Sequence, residues 1–154
     1  MTSRCCDVLN ALKGKSLVTA ESLTGGGIGA ALTGISGSSA VYKGGIISYT
    51  NEVKHKILGV PQDTLDRCGA VSEPVAKAMA EGARKLLEAD IAVSVTGLAG
   101  PGGDDYGNPV GTVYIGYSDV FCTEVKHCLF TGDRESIRKQ TAEEALKLIL
   151  KHNA

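Results

Sequence analysis

The spacing of hydrophobic and polar positions changes along this chain, and the changes mark out its elements. Val75, Met79, Ala83 and Leu86 or Leu87 recur at helical spacing behind Ser72, a capping residue with Glu73 and Pro74 in the first turn. Ile137, Thr141, Ala145 and Leu148 share a face of a last helix that Asp133 can cap. Ile91 to Thr96 is a compact apolar strand, Val41 to Thr50 a strand with β-branched and aromatic residues, and Ser16 to Ala20 a strand running into a loop. Val110 to Ser118 and Val120 to Phe130 read as an antiparallel hairpin joined near Ser118-Asp119. Further helices are expected over Cys5 to Lys13, Thr24 to Thr33, Glu52 to Leu58 and Pro61 to Arg67. Asn51 is the expected cap of the third of these, and Gly59 ends it. Strands alternating with helices argue for a sheet covered on both faces, and the hairpin makes that sheet mixed rather than purely parallel. Gly97 to Pro109 is the one long connection, the kind of loop that is often functional in a compact domain.

Composition narrows the class. A chain of 154 residues is the size of one domain, and 43% hydrophobic with 21% charged residues is globular rather than disordered or membrane-bound. Sixteen Lys and Arg against seventeen Asp and Glu leave a formal charge of −1, so no nucleic-acid partner is expected. No apolar run approaches the ~20 residues of a membrane span, and Met1 to Asp7 lacks the apolar core of a signal peptide. No membrane partner is expected, and a cytoplasmic location is. Cys5, Cys6, Cys68, Cys122 and Cys128 form no C-x-x-C and read as reduced thiols. His55, His127 and His152 show no ligand spacing, so no metal site is expected. Glycine is abundant and clustered, as at Gly25-Gly26-Gly27 and Gly102-Gly103, which marks tight turns or close approach of backbone to a ligand.

Four segments could carry chemistry. In Thr19-Ala20-Glu21-Ser22-Leu23-Thr24-Gly25-Gly26-Gly27 a strand end delivers Ser22 to the carboxyl edge of the sheet, and free N–H groups of the following helix could hold a phosphate or an oxyanion. Spacing alone favours a capping serine. Gly25-x-Gly27-x-x-Ala30 also matches a dinucleotide fingerprint, but no acidic ribose partner occurs in Val41 to Thr50. No Walker pattern or G-x-S-x-G elbow is present, and Ser136-x-x-Lys139 lacks its companion motifs. In Tyr49-Thr50-Asn51-Glu52-Val53-Lys54 the lysine falls in the first helical turns. Partial burial there would lower its pKa and let it take a proton from a serine; a solvated lysine is the plainer reading. His55 lies about 100° around the helix from Lys54, so the two cannot both point at Ser22. Ser94-Val95-Thr96-Gly97-Leu98-Ala99-Gly100-Pro101 empties another strand into a glycine loop, where Thr96 is either a turn cap or part of the same edge. Arg134 and Arg138 share a helix face and could clamp a phosphate or carboxylate, or pair with surface acids such as Glu135.

Together these blocks resemble the C-terminal domain of CinA, the family of nicotinamide mononucleotide deamidases often called PncC. The resemblance rests on Thr19-Ala20-Glu21-Ser22 with Thr24-Gly25-Gly26, Gly37-Ser38-Ser39, Ser48-Tyr49 through Asn51-Glu52-x-Lys54, and Gly69-Ala70-Val71-Ser72. It continues through Val95-Thr96-Gly97 with Ala99-Gly100-Pro101, Pro109 to Val113, and Gly132-Asp133-Arg134 with Arg138, covering nearly the whole chain. It implies a single three-layer α-β-α domain over residues 1–154, here with a mixed, mostly parallel sheet of about five strands. It implies hydrolysis of a nicotinamide carboxamide to the acid and ammonia, with no cofactor or metal. The catalytic groups it implies are Ser22, Lys54 and Tyr49. The expected partner is a small-molecule nucleotide substrate, held by Thr24, Gly25, Gly26, Ser38, Ser39, Asn51, Thr96, Gly97, Gly100, Arg134 and Arg138. Ser38 or Ser39 is expected to assist the oxyanion, and a homo-oligomer is expected. The family often has cysteine where this chain has Leu23. A CinA-type module that binds nucleotide or protein without catalysis is the alternative.

Overall fold

The computed structural model describes residues 1–154. The elements are α1 (Thr2–Ala11), β1 (Leu17–Glu21), α2 (Gly27–Thr33), a 3-10 turn (Ser38–Ala40), β2 (Tyr42–Ile47), α3 (Asn51–Lys56), α4 (Gln62–Cys68), α5 (Glu73–Leu86), β3 (Ile91–Gly97), β4 (Thr112–Ser118), β5 (Thr123–Leu129) and α6 (Arg134–Asn153). The strands form one sheet in the order β2-β1-β3-β4-β5. β1 pairs in parallel with β2 and β3, while the β3–β4 and β4–β5 ladders are antiparallel. Only β4 is reversed, so the sheet is mixed and mostly parallel.

Side chains on a strand alternate between faces, and the two faces carry separate cores. Leu17, Ile91, Val93, Val95, Val113 and Ile115 belong to a cluster of 23 buried residues with α1, α2 and α6. Val18, Ala20 and Ala92 belong to a second cluster of 10 with Leu65, Val75, Met79 and Ala83 of α4 and α5. The crossover from β1 to β2 and the one from β2 back to β3 run in opposite directions across the sheet. Crossovers of one hand then place their helices on opposite faces, which yields the α-β-α layering. The central strands β1 and β3 are buried along nearly their whole length, whereas β2 alternates as an edge strand does.

The sequence periods locate these elements within a few residues. Ile137, Thr141, Ala145 and Leu148 are all buried on α6, and Asp133 caps it by accepting the Ser136 N–H at 2.9 Å. Helix starts shift: α1 begins at Thr2 rather than Cys5, and two others move with their caps. Thr50, whose backbone is extended, caps α3 by accepting the Val53 N–H at 3.3 Å, so Asn51 is the first helical residue rather than the cap. α2 begins at Gly27, not Thr24, because Gly25 (φ 58°) and Gly26 (φ 99°) carry the chain through a left-handed turn. All five cysteines are free thiols. No helix is long and apolar enough to cross a membrane.

Candidate active site

In an open α/β sheet, ligands bind at the carboxyl edge where the connections leave toward opposite faces. That point lies here between β1 and β3. The turn after β1 leads to α2 on one face, and the neighbouring strand β3 empties into the loop 97–111. A cavity of about 310 Å³ opens there, lined by Ser22 and Leu23, by Tyr49, Asn51 and Lys54, by Ala70 and Val71, by residues of the loop after Thr96, and by Arg134.

Ser22 follows β1 directly, and its N–H donates to the Val95 carbonyl of β3 at 3.1 Å, which fixes the residue at the strand end. Lys54 comes from α3, the helix that follows the adjacent strand β2. It is 1% exposed, while His55, Glu52 and Lys56 on the same short helix face outward. The His55 ring is engaged elsewhere, with Nδ1 2.7 Å from the Val60 carbonyl. Lys54 Nζ lies 3.0 Å from Ser22 Oγ, 2.7 Å from the Ser48 carbonyl and 3.5 Å from the Tyr49 carbonyl. No carboxylate pairs with it. Burial therefore lowers its pKa from 10.5 to about 8, with no opposing charge to restore it. Once Lys54 is neutral, the two carbonyls can hold its two N–H groups. The remaining tetrahedral position, the lone pair, then faces the Ser22 hydroxyl.

The turn after Ser22 is built by a residue the sequence reading passed over. Glu21, 2% exposed, accepts four hydrogen bonds. Its Oε1 takes the Thr24 hydroxyl (2.7 Å) and the Ile28 N–H (2.8 Å); its Oε2 takes the Gly29 N–H (3.0 Å) and the Thr19 hydroxyl (3.1 Å). The expectation that the amino end of α2 offers free N–H groups to a ligand is therefore corrected: a carboxylate of the chain already occupies it. In this turn the N–H groups of Leu23, Thr24 and Gly26 have no partner inside the chain, and the first two lie next to Ser22. A signal was present, since an acidic residue in an otherwise apolar, central strand must find donors close by.

The structure brings Ser22, Tyr49, Asn51, Lys54, Thr96, Gly97, Gly100 and Arg134 to one cavity. Thr96 Oγ1 donates to the Ala70 carbonyl at 2.8 Å and so ties the floor to the segment before α5. The Tyr49 hydroxyl does not reach the serine–lysine pair. Its ring is exposed, and the hydroxyl accepts from Arg134 Nη2 at 3.3 Å, while Arg134 Nη1 donates to the Gly100 carbonyl at 2.7 Å. Arg134 thus links three segments at the cavity mouth. Other expected ligands lie elsewhere. Thr24, Gly25 and Gly26 form the turn behind Ser22, and the Thr24 side chain is buried on Glu21. Arg138 turns away from the cavity, its Nε on the Leu23 carbonyl (2.9 Å) and its Nη2 on the Thr24 carbonyl (3.1 Å). Ser38 and Ser39 precede β2, which runs parallel to β1 with Tyr42 opposite Leu17. They therefore sit at the amino edge of the sheet, about 16 Å of strand away from Ser22 by the rise per residue. No group of three His, Cys, Asp or Glu side chains is arranged to hold a metal.

Fold and site together define a class: a three-layer α/β domain with a buried serine–lysine pair at the carboxyl edge of its parallel strands. The model of the CinA C-terminal domain family matches residues 2–152, and the chain belongs to that family. A CinA-like protein of Endomicrobium trichonymphae is 49% identical over 144 residues, covering 90% of this chain and 34% of its own length. One from Geobacter sulfurreducens is 48% identical over 134 residues, covering 87% of this chain and 32% of its own length. This chain thus spans about a third of the length of these curated relatives. Among solved structures, the competence/damage inducible protein CihA of Agrobacterium tumefaciens superposes with a TM-score of 0.96 at 38% identity, covering 99% of this chain and 95% of that one. The competence damage-inducible protein A of Klebsiella pneumoniae superposes with a TM-score of 0.95 at 36% identity, covering 97% and 94%.

Proposed function

We propose that this domain is a serine amidohydrolase that converts the carboxamide of nicotinamide mononucleotide to the acid, releasing ammonia. The observation that carries the reading is Lys54: fully buried, without a carboxylate partner, and 3.0 Å from the hydroxyl of Ser22. Neutral Lys54 takes the Ser22 proton as Ser22 Oγ attacks the carboxamide carbon. The oxygen that becomes negative accepts hydrogen bonds from the Leu23 and Thr24 N–H groups. The Lys54 ammonium then gives its proton to the leaving nitrogen, the C–N bond breaks and ammonia departs. Water, deprotonated by Lys54, then attacks the acyl carbon; the ester C–O bond breaks, Lys54 returns the proton to Ser22 Oγ and the acid departs. Tyr49 serves in orientation, its carbonyl holding Lys54 and its hydroxyl meeting Arg134. Arg134, at the mouth, is the group we assign to the nucleotide phosphate, with Asn51 and the Thr96–Gly100 segment beside it. The family resemblance supports the choice of substrate.

Ammonia release from nicotinamide mononucleotide tests the reading. Ser22→Ala and Lys54→Met should each lower kcat by about a thousandfold or more, as loss of a nucleophile or its base does in serine hydrolases, with the fold retained by circular dichroism. Full activity in either variant would sink the pair. A wild-type protein that binds the nucleotide without turnover would instead be a binding module.

A further inference from the structure

Arg138 has no carboxylate partner and does not line the cavity. Its two hydrogen bonds both go to main-chain carbonyls of the turn that follows Ser22. In a trans peptide the C=O and the following N–H point in opposite directions. The Leu23 carbonyl, held by Arg138 Nε, shares its peptide with the Thr24 N–H, which is thereby aimed away from the guanidinium. The Thr24 carbonyl, held by Nη2, shares its peptide with the Gly25 N–H. That N–H donates to the Ser22 carbonyl at 3.0 Å, and the Ser22 carbonyl shares its peptide with the Leu23 N–H. Both unpaired N–H groups beside Ser22 thus terminate hydrogen-bonded chains of peptides that begin on one cation. Such chains polarise their members, and a charged donor at the head strengthens them.

We propose that Arg138 is a positioning residue for the oxyanion site: it orients and polarises the Leu23 and Thr24 N–H groups through the peptides of the turn. The proposal rests on the amidase reading to the extent that an oxyanion forms at Ser22. It separates two arginines that the sequence presents as a pair. Arg134 faces the cavity mouth and would act on the substrate; Arg138, one turn later, acts on the backbone that meets the transition state.

The test compares wild type, Arg138→Ala and Arg138→Lys in three measurements. The first is steady-state ammonia release from nicotinamide mononucleotide and from its phosphate-free riboside. The second is the rate at which a small fluorophosphonate labels Ser22, a reaction that also places negative charge on oxygen. The third is rescue of Arg138→Ala by added guanidinium ion. Arg138 is exposed, and melting curves check that each variant folds. The proposal expects Arg138→Ala to lower kcat by about 10- to 100-fold, the scale of weakening an oxyanion donor. KM should stay within about threefold, since the interaction is made in the transition state. The loss should be equal on both compounds and matched by slower labelling, with partial recovery in Arg138→Lys and on addition of guanidinium. A rise in KM confined to the phosphorylated compound would overturn it and make Arg138 a phosphate ligand. Unchanged labelling in Arg138→Ala would overturn it as well. Wild type that releases no ammonia yet is labelled at Ser22 defeats the amidase reading alone, and the labelling comparison still decides Arg138. Wild type that resists labelling defeats both.

Discussion

Lys54 must be neutral to take a proton from Ser22, and its surroundings push it that way: burial lowers its pKa to about 8. On the proposed mechanism, the active form therefore accumulates as pH rises. Log kcat/KM is expected to climb with a slope of about one below pH ~8 and to level off above it, the ordinary behaviour of a single essential base. A flat profile from pH 6 to 9 would remove Lys54 from the role of base. Stability carries the same signature. The folded protein gives up the Lys54 proton near pH 8, whereas the unfolded chain keeps it to about 10.5. Between those values the unfolded state binds more protons, so stability rises with pH across that window and is flat below it on account of this group. Denaturant titrations of wild type and Lys54→Met should show a difference in unfolding free energy that changes across that window and nowhere below it. The sequence shows the lysine and its helix. It does not show the burial, which sets Lys54 beside Ser22, a residue 32 positions earlier in the chain.

At the scale of elements, α2 is a seven-residue helix whose Gly26 cap supplies no side chain. Glu21 stands in for that cap from the strand before it. Glu21→Gln replaces one carboxylate oxygen with an NH₂ group. Either orientation of the amide sets that NH₂ against a backbone N–H, of Ile28 or of Gly29, and against a threonine hydroxyl. The expected loss is about 2 kcal/mol or more of unfolding free energy, the scale of burying unsatisfied donors. A change below about 0.5 kcal/mol, within the range of ordinary surface substitutions, would mean that Glu21 does not hold the turn. Element positions were legible because period and caps are local: Asp133 and the α6 face needed no tertiary information, whereas Ser72 holds the N-cap position of α5 with its hydroxyl donating to the Gly69 carbonyl rather than accepting a helix N–H. The role of Glu21 was not, because its backbone donors, Ile28 and Gly29, lie seven and eight residues further on and meet it only after the glycines turn the chain. Ser38 and Ser39 mislead for a related reason. A resemblance carries residue identity but not strand direction, and direction puts them at the opposite edge of the sheet.

Across the whole molecule, the larger core and the site share the strands but only two residues, Leu23 and Ala99. Leu146 of α6 is fully buried in the 23-residue cluster. Leu146→Ala should cost about 2–5 kcal/mol of stability, the range for deleting buried leucine side chains. It should leave kcat within about twofold well below the melting temperature; a large fall in kcat there would show that the core and the site are coupled. The layered class was legible from strands alternating with helices and from the final hairpin. The order of strands was not, since period says nothing about which strand neighbours which. The cavity follows from that order, and its construction divides labour. The serine–lysine pair belongs to the end of β1 and to α3, and the turn after the serine is anchored on the buried Glu21 carboxylate. Another part of the cavity wall belongs to the loop after β3 and to the first turn of α6. On the proposed amidase reading, the choice of amide rests with that loop while the chemistry stays with the pair, and a change of diet in this fold should be sought in residues 97–111 before it is sought at the serine.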